Sequence, residues 1–87
     1  MPKYRLTLEK KYIYELGKIP ERDQKAISAH VADLSFNPKP YGCVKLKGFD
    51  NIYRIRCGNY RILYTIFDDV LTILVITFGH RKNIYQS

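Results

Sequence analysis

The chain opens on an alternation. Tyr4, Leu6 and Leu8 are apolar, and Arg5, Thr7 and Glu9 between them are polar, the period-two pattern of a short half-buried strand. From about Glu9 the period lengthens. Tyr12, Ile13, Leu16 and Ile19 recur at helical spacing, with Gly17 placed as a terminator. Pro20 opens a second helix, and Glu21 and Asp23 put negative charge in its first turn, where the helix dipole favours it. Ile27, Val31 and Leu34, with Ala26 and Phe36 nearby, form its apolar stripe. Asn37-Pro38-Lys39-Pro40 ends it, because proline cannot continue a helix and disfavours helical geometry in the residue before it. Two helices on a short link make a helical hairpin.

Beyond Tyr41 every segment reads as strand. Val44 to Lys47 is the first, and Gly48-Phe49-Asp50-Asn51 turns the chain into Ile52 to Arg56. Cys57-Gly58-Asn59 leads to Tyr60 to Phe67, and Asp68-Asp69 forms a two-residue turn before Val70 to Phe78. Turns this short join antiparallel neighbours. The last strand is apolar at nearly every position, which predicts a central strand covered on both faces. The expected fold class is therefore α+β: an N-terminal strand and a helical hairpin packed on a four-stranded antiparallel meander.

Length and composition narrow the class. The 87 residues allow one domain, residues 1–87, and 46% hydrophobic content is that of a folded protein rather than a disordered tail. The longest apolar stretch, Val70 to Phe78, is too short to cross a bilayer as a helix, and the N-terminus has no apolar signal-peptide core. Cys43 and Cys57 form no C-x-x-C motif, so a zinc ribbon or disulfide scaffold is not expected and a cytoplasmic protein with two reduced thiols is. His30 and His80 are the only histidines, which leaves little for a two-histidine nuclease site or a His-rich metal site.

Charge adds a direction. Fifteen Lys and Arg against eight Asp and Glu give a net charge of +7, which favours an anionic partner. Strand alternation places Lys45 and Lys47 opposite Val44 and Leu46, Arg54 and Arg56 opposite Tyr53 and Ile55, and Arg61 opposite Ile62. With the apolar residues turned toward the helices, these five cations share the other face of the sheet. Tyr60, Tyr64 and Tyr85 are expected near them. Arginines with tyrosines are suited to phosphate clamping and base stacking.

Three segments carry a family resemblance: Val44-Lys45-Leu46-Lys47-Gly48, the run from Tyr53 to Tyr64 reading YRIRCGNYRILY, and the run from Val75 to Tyr85 reading VITFGHRKNIY. Together they resemble the RelE/ParE superfamily of bacterial toxins, and its RelE-type ribonuclease branch more than its ParE-type branch. The resemblance implies a toxin of a type II toxin–antitoxin system that cuts messenger RNA on the ribosome and is neutralised by an acidic antitoxin wrapped around it. It implies cleavage without metal or other cofactor, by attack of a ribose 2′-hydroxyl on the adjacent phosphate. Arg54 and Arg56 match the two basic strand positions of that family's site, Arg61 the arginine of its G-x-Y-R segment, Arg81 the arginine after the final strand, and Tyr85 the C-terminal tyrosine. Lys45 and Lys47 are expected to add RNA affinity. Since arginine stays charged, neither Arg54 nor Arg56 can be a general base. That role would fall to Tyr85, His80 or a group on the ribosome. The competing expectation is a ParE-like toxin that poisons DNA gyrase without cutting RNA.

Overall fold

The computed structural model describes residues 3–80. Strand β1 (Arg5–Leu8) is followed by helices α1 (Lys10–Leu16) and α2 (Glu21–Leu34), then by strands β2 (Val44–Lys45), β3 (Ile52–Cys57), β4 (Tyr60–Phe67) and β5 (Thr72–His80). The predicted meander is present, with β2, β3, β4 and β5 paired antiparallel in that order. The first strand does not stand apart from it. β1 pairs with β5 in parallel, Arg5 opposite Thr72 and Leu8 opposite Val75, which makes a five-stranded sheet. The long return that a parallel pair requires is supplied by the helical hairpin and the meander together.

Local chemistry accounts for most boundaries. Gly17 closes α1 from right-handed geometry, φ −69°, so its left-handed freedom is not used there. Tighter bonds finish the turn, from Lys18 N–H to the Glu15 carbonyl at 3.0 Å and from Ile19 N–H to that of Leu16 at 3.5 Å. Pro20 caps α2, with Glu21 and Asp23 in the first turn as expected. At its far end the Ser35 carbonyl accepts from the N–H groups of both Lys3 and Tyr4 at 2.9 Å, tying the exit of α2 to the start of β1. The β3–β4 turn needs a left-handed residue and has Gly58 at φ +61°. The β4–β5 connection is longer than the two-residue turn expected: Asp68–Val70 form a short 3-10 turn, and Leu71 follows at φ +46°. Tyr4 steadies it by donating to Asp68 Oδ1 at 2.7 Å.

The core lies between the helices and one face of the sheet. Tyr12, Ile27, Val31 and Leu34 meet Ile55, Cys57, Ile62, Tyr64, Ile66, Ile73, Val75 and Phe78. Two apolar residues expected in the helical stripe are outside it, since Ile13 and Phe36 are exposed. The expectation for β5 also needs correction. It is central in the sheet, but only Ile73, Val75 and Phe78 are buried, while Thr72, Leu74, Ile76 and Thr77 are half-buried. Among the described residues both helices lie on one side, so the second face of β5 has no helical layer. Both cysteines are free thiols, and no helix among the described residues is long and apolar enough to cross a membrane.

Burial also sets a pH dependence. Burial pushes the hydroxyls of Tyr64 and Tyr12 above the ordinary tyrosine value, with a hydrogen bond to Cys43 adding to the effect at Tyr64. Burial, then the neighbouring Asp23 carboxylate, raises the Cys57 thiol. In the unfolded chain these groups release protons near pH 8.5 for cysteine and about 10 for tyrosine, whereas the native state keeps them protonated. The unfolded state therefore binds fewer protons above those values, and stability falls as pH rises. Urea denaturation is expected to show a steady loss of stability from about pH 9 upward, steepening above about pH 10. Tyr64→Phe should reduce the steeper part only; a stability that holds to pH 11 in the native sequence would contradict the burial argument.

Candidate functional site

The site is built on the sheet face turned away from α1 and α2. Tyr53, Ile55 and Cys57 of β3 turn toward the core, so alternation sends Arg54 and Arg56 to the opposite face. On β4, Ile62, Tyr64 and Ile66 are core residues, and Arg61 with Leu63 and Thr65 faces the other way. The register then fixes the neighbours. Arg56 is directly opposite Arg61, Arg54 is opposite Leu63, and on its other flank Arg61 is paired with Gly79 of β5. Three predicted site residues are thus brought together on rigid strands.

Their exposure is graded. Arg56 is exposed, Arg54 half-buried, and Arg61 only 9% exposed. The Nε atoms of Arg54 and Arg61 are closed off from solvent. Their stems are therefore held by packing, which restricts the guanidinium forks without removing charge from the face. Directly opposed like charges on an antiparallel pair repel. Arg56 and Arg61 form such a pair, which suits them to an anion between or above them. Gly79, beside Arg61, presents no side chain on this face.

An irregularity in β5 underlies the arrangement. Leu63 is opposite Thr77 and Tyr64 opposite Val75, so Ile76 is an extra residue that forms a β-bulge. It reverses the phase of β5: Ile73 and Val75 face the core before it, Phe78 after it. Gly79 rather than a core residue then falls beside Arg61.

Other expectations for this face do not hold. β2 is only two residues long, and its register sets Val44 opposite Arg54 and Lys45 opposite Tyr53. Directly opposite residues share a face, so Val44 lies on the arginine side and Lys45 on the side of Tyr53. Lys47 falls in the turn after the strand. Neither lysine belongs to the arginine cluster. Tyr60 and Tyr64 are also turned away from it. The Tyr60 hydroxyl donates to Asp23 Oδ2 at 2.9 Å, linking β4 to the first turn of α2. Tyr64 is fully buried; its hydroxyl donates to the Pro38 carbonyl at 2.8 Å and lies 3.3 Å from Cys43 Sγ. Both are structural ties that face away from the arginines. Arg81, Tyr85 and the side chain of His80 lie outside the described residues.

The comparisons identify the family and the fold. The family model described as the ParE toxin of type II toxin–antitoxin systems matches residues 5–85. Toxin RelE3 of Methanocaldococcus jannaschii is 33% identical over 86 residues, covering 94% of this chain and 96% of that protein. The toxin–antitoxin complex RelBE2 of Mycobacterium tuberculosis contains a chain with TM-score 0.80 and 28% identity, covering 93% of this chain and 100% of that one. An archaeal RelE–RelB complex from Pyrococcus horikoshii gives TM-score 0.82 at 23% identity, covering 93% and 98%, a likeness of fold. A parallel first strand, a helical hairpin and an antiparallel meander are thus the fold of a chain that belongs to the ParE toxin family of type II toxin–antitoxin systems, within the RelE/ParE superfamily.

Proposed function

We propose that this toxin is a ribosome-dependent messenger-RNA endonuclease, held inactive by an acidic antitoxin in a hetero-oligomeric complex and acting in the cytoplasm. The observation that carries the reading is the juxtaposition of Arg54, Arg56 and Arg61 on the sheet face turned away from the helices, with Arg61 almost wholly buried. In-line attack of a ribose 2′-hydroxyl on the adjacent phosphate concentrates negative charge on the phosphoryl oxygens. Arginine forks fixed on strands meet that charge with bidentate hydrogen bonds and need little reorganisation as it develops. Arg61 is assigned the stabilisation of the transition state, with Arg81 as its companion. Arg54 and Arg56 hold the phosphate. Lys45 and Lys47, off this face, supply general RNA or ribosome affinity. Proton transfer from the 2′-hydroxyl belongs to Tyr85, His80 or a ribosomal group, since no arginine can accept the proton.

The names of similar proteins favour this branch, as the relative from M. jannaschii and the structural neighbours are RelE toxins or contain them. The structural neighbours pair RelE with RelB, and a chain of net charge +7 suits an acidic counterpart. The second reading, gyrase poisoning, is favoured by one observation: the matching family model is that of ParE. Purified toxin added to a translating extract separates the two. Cleavage within codons of ribosome-bound message is expected, with gyrase supercoiling unaffected. Intact message together with inhibited supercoiling would overturn the nuclease reading.

A further inference from the structure

A second feature adjoins the arginine face at the open edge of β3. Between that edge and α2 lies a cavity of ≈ 370 Å³, lined by His30, Asp33, Tyr41, Gly42, Ile55 and Arg56 among others. Its volume is in the lower part of the range for small-molecule sites, about 300–1,000 Å³. Arg56 belongs to both places, with its side chain on the arginine face and its residue on the cavity wall.

The short β2 leaves main-chain groups open here. Leu46 N–H donates to the Ile52 carbonyl at 2.9 Å, so Ile52, Arg54 and Arg56 direct their main-chain groups toward this edge. The ladder with β2 stops at the pairing of Val44 with Arg54. The N–H and C=O of Arg56 therefore come one step past it, against the cavity. A single residue's donor and acceptor is too little edge to seat a peptide strand, because Cys57 and the Gly58 turn end β3 at once. It is enough to read one edge of a base. The Tyr41 ring, wholly exposed, offers a stacking face.

We infer that this cavity is a nucleobase subsite, selecting bases that carry an exocyclic amino group over uracil, for the nucleotide whose phosphate is held by Arg56. The inference rests on the reading of the arginine face as a surface for RNA phosphates. The polar lining is rich in acceptors. Asp33 has a carboxylate, which only accepts, and Arg56 its main-chain carbonyl. His30 Nδ1 donates to the Ala26 carbonyl at 3.0 Å, which leaves Nε2 for a ligand. Cytosine, adenine and guanine each bring an amino donor to such a lining. Uracil brings two carbonyls around one N–H, so a carbonyl meets the Asp33 carboxylate where cytosine would present its amino group.

The test is a titration of the ¹⁵N-labelled chain, followed by amide shifts, with inorganic phosphate, cytidine 5′-monophosphate and uridine 5′-monophosphate in turn. Phosphate is expected to move Arg54, Arg56 and Arg61. The cytidine nucleotide should move these and also His30, Asp33, Tyr41 and Gly42, and bind about five- to tenfold more tightly than the uridine nucleotide. Asp33 is exposed on α2, so Asp33→Asn can be made without disturbing the core. It should bring the two nucleotides level while leaving phosphate affinity unchanged. Equal binding of the two nucleotides by the native chain, or shifts from both confined to the three arginines, overturns the subsite with the phosphate surface intact. If phosphate fails to move the three arginines, the underlying reading of that face is overturned as well.

Discussion

Arg61→Ala is expected to lower single-turnover cleavage of ribosome-bound message by roughly 10²–10³-fold, the range found when one preorganised donor to a developing oxyanion is removed. The size follows from burial. A guanidinium on a mobile surface stem must be ordered as the reaction proceeds, whereas Arg61 is 9% exposed and held between Arg56 and Gly79. Arg61→Lys keeps the charge but loses the planar fork, and should recover only a small part of the rate. Arg56→Thr tests the other member of the pair. It removes a like charge directly across the strands and introduces a good strand former, so the fold should gain about 0.2–1 kcal/mol in urea denaturation. RNA affinity should fall, with a shallower salt dependence of binding. A variant at position 61 that cuts at the native rate would move the transition-state role elsewhere. A fold made less stable by Arg56→Thr would show that the pair is not repulsive.

How much of this face was legible depended on strand length. β3 and β4 are six and eight residues long with clear alternation, and the phase of Arg54, Arg56 and Arg61 could be read from Tyr53, Ile55 and Ile62 beside them. β2 has only two residues. A strand that short has no period, so its register is set by the turn into β3 rather than by its own pattern. The side on which Lys45 lies is therefore not legible in its own segment; its pairing with Tyr53 decides it. The inward direction of Tyr60 and Tyr64 was available, since both share the parity of Ile62. The tie from Tyr60 to Asp23 and the pairing of β1 with β5 were out of reach, because each joins residues far apart in sequence, by contacts that local patterns do not encode.

The cavity at the edge of β3 was hidden for a related reason. It exists because β2 stops short and the chain turns away through Tyr41 and Gly42, with Cys43 N–H bonded to the Pro40 carbonyl at 3.0 Å. The sequence of prolines and glycine marked a loop but not the space it leaves beside Arg56.

The largest effect on stability is expected at Phe78. With Ile73 and Val75 facing the core, strict alternation would bring Thr77 inward and turn Phe78 out. The bulge at Ile76 reverses that order. Phe78 is 7% exposed, and its ring meets Tyr12 of α1 edge to face at 5.7 Å and Tyr60 of β4 likewise at 5.7 Å. It therefore holds a helix against the end of the sheet where Arg61 lies. Phe78→Ala loses the transfer free energy of a buried ring and both aromatic contacts, an expected cost of about 3–5 kcal/mol. Against a total stability of about 5–15 kcal/mol, which a chain of this size approaches from the lower end, that removes most of the margin. Thr77→Ala, one position away and on the other face, should stay within about 1 kcal/mol. Chemical denaturation of the two variants measures the phase of the strand directly. Equal costs at 77 and 78 would mean that the bulge does not set which side chains enter the core, and then Gly79 would have no fixed place beside Arg61. A large cost at 78 alone ties the packing of the core and the geometry of the arginine face to the same extra residue.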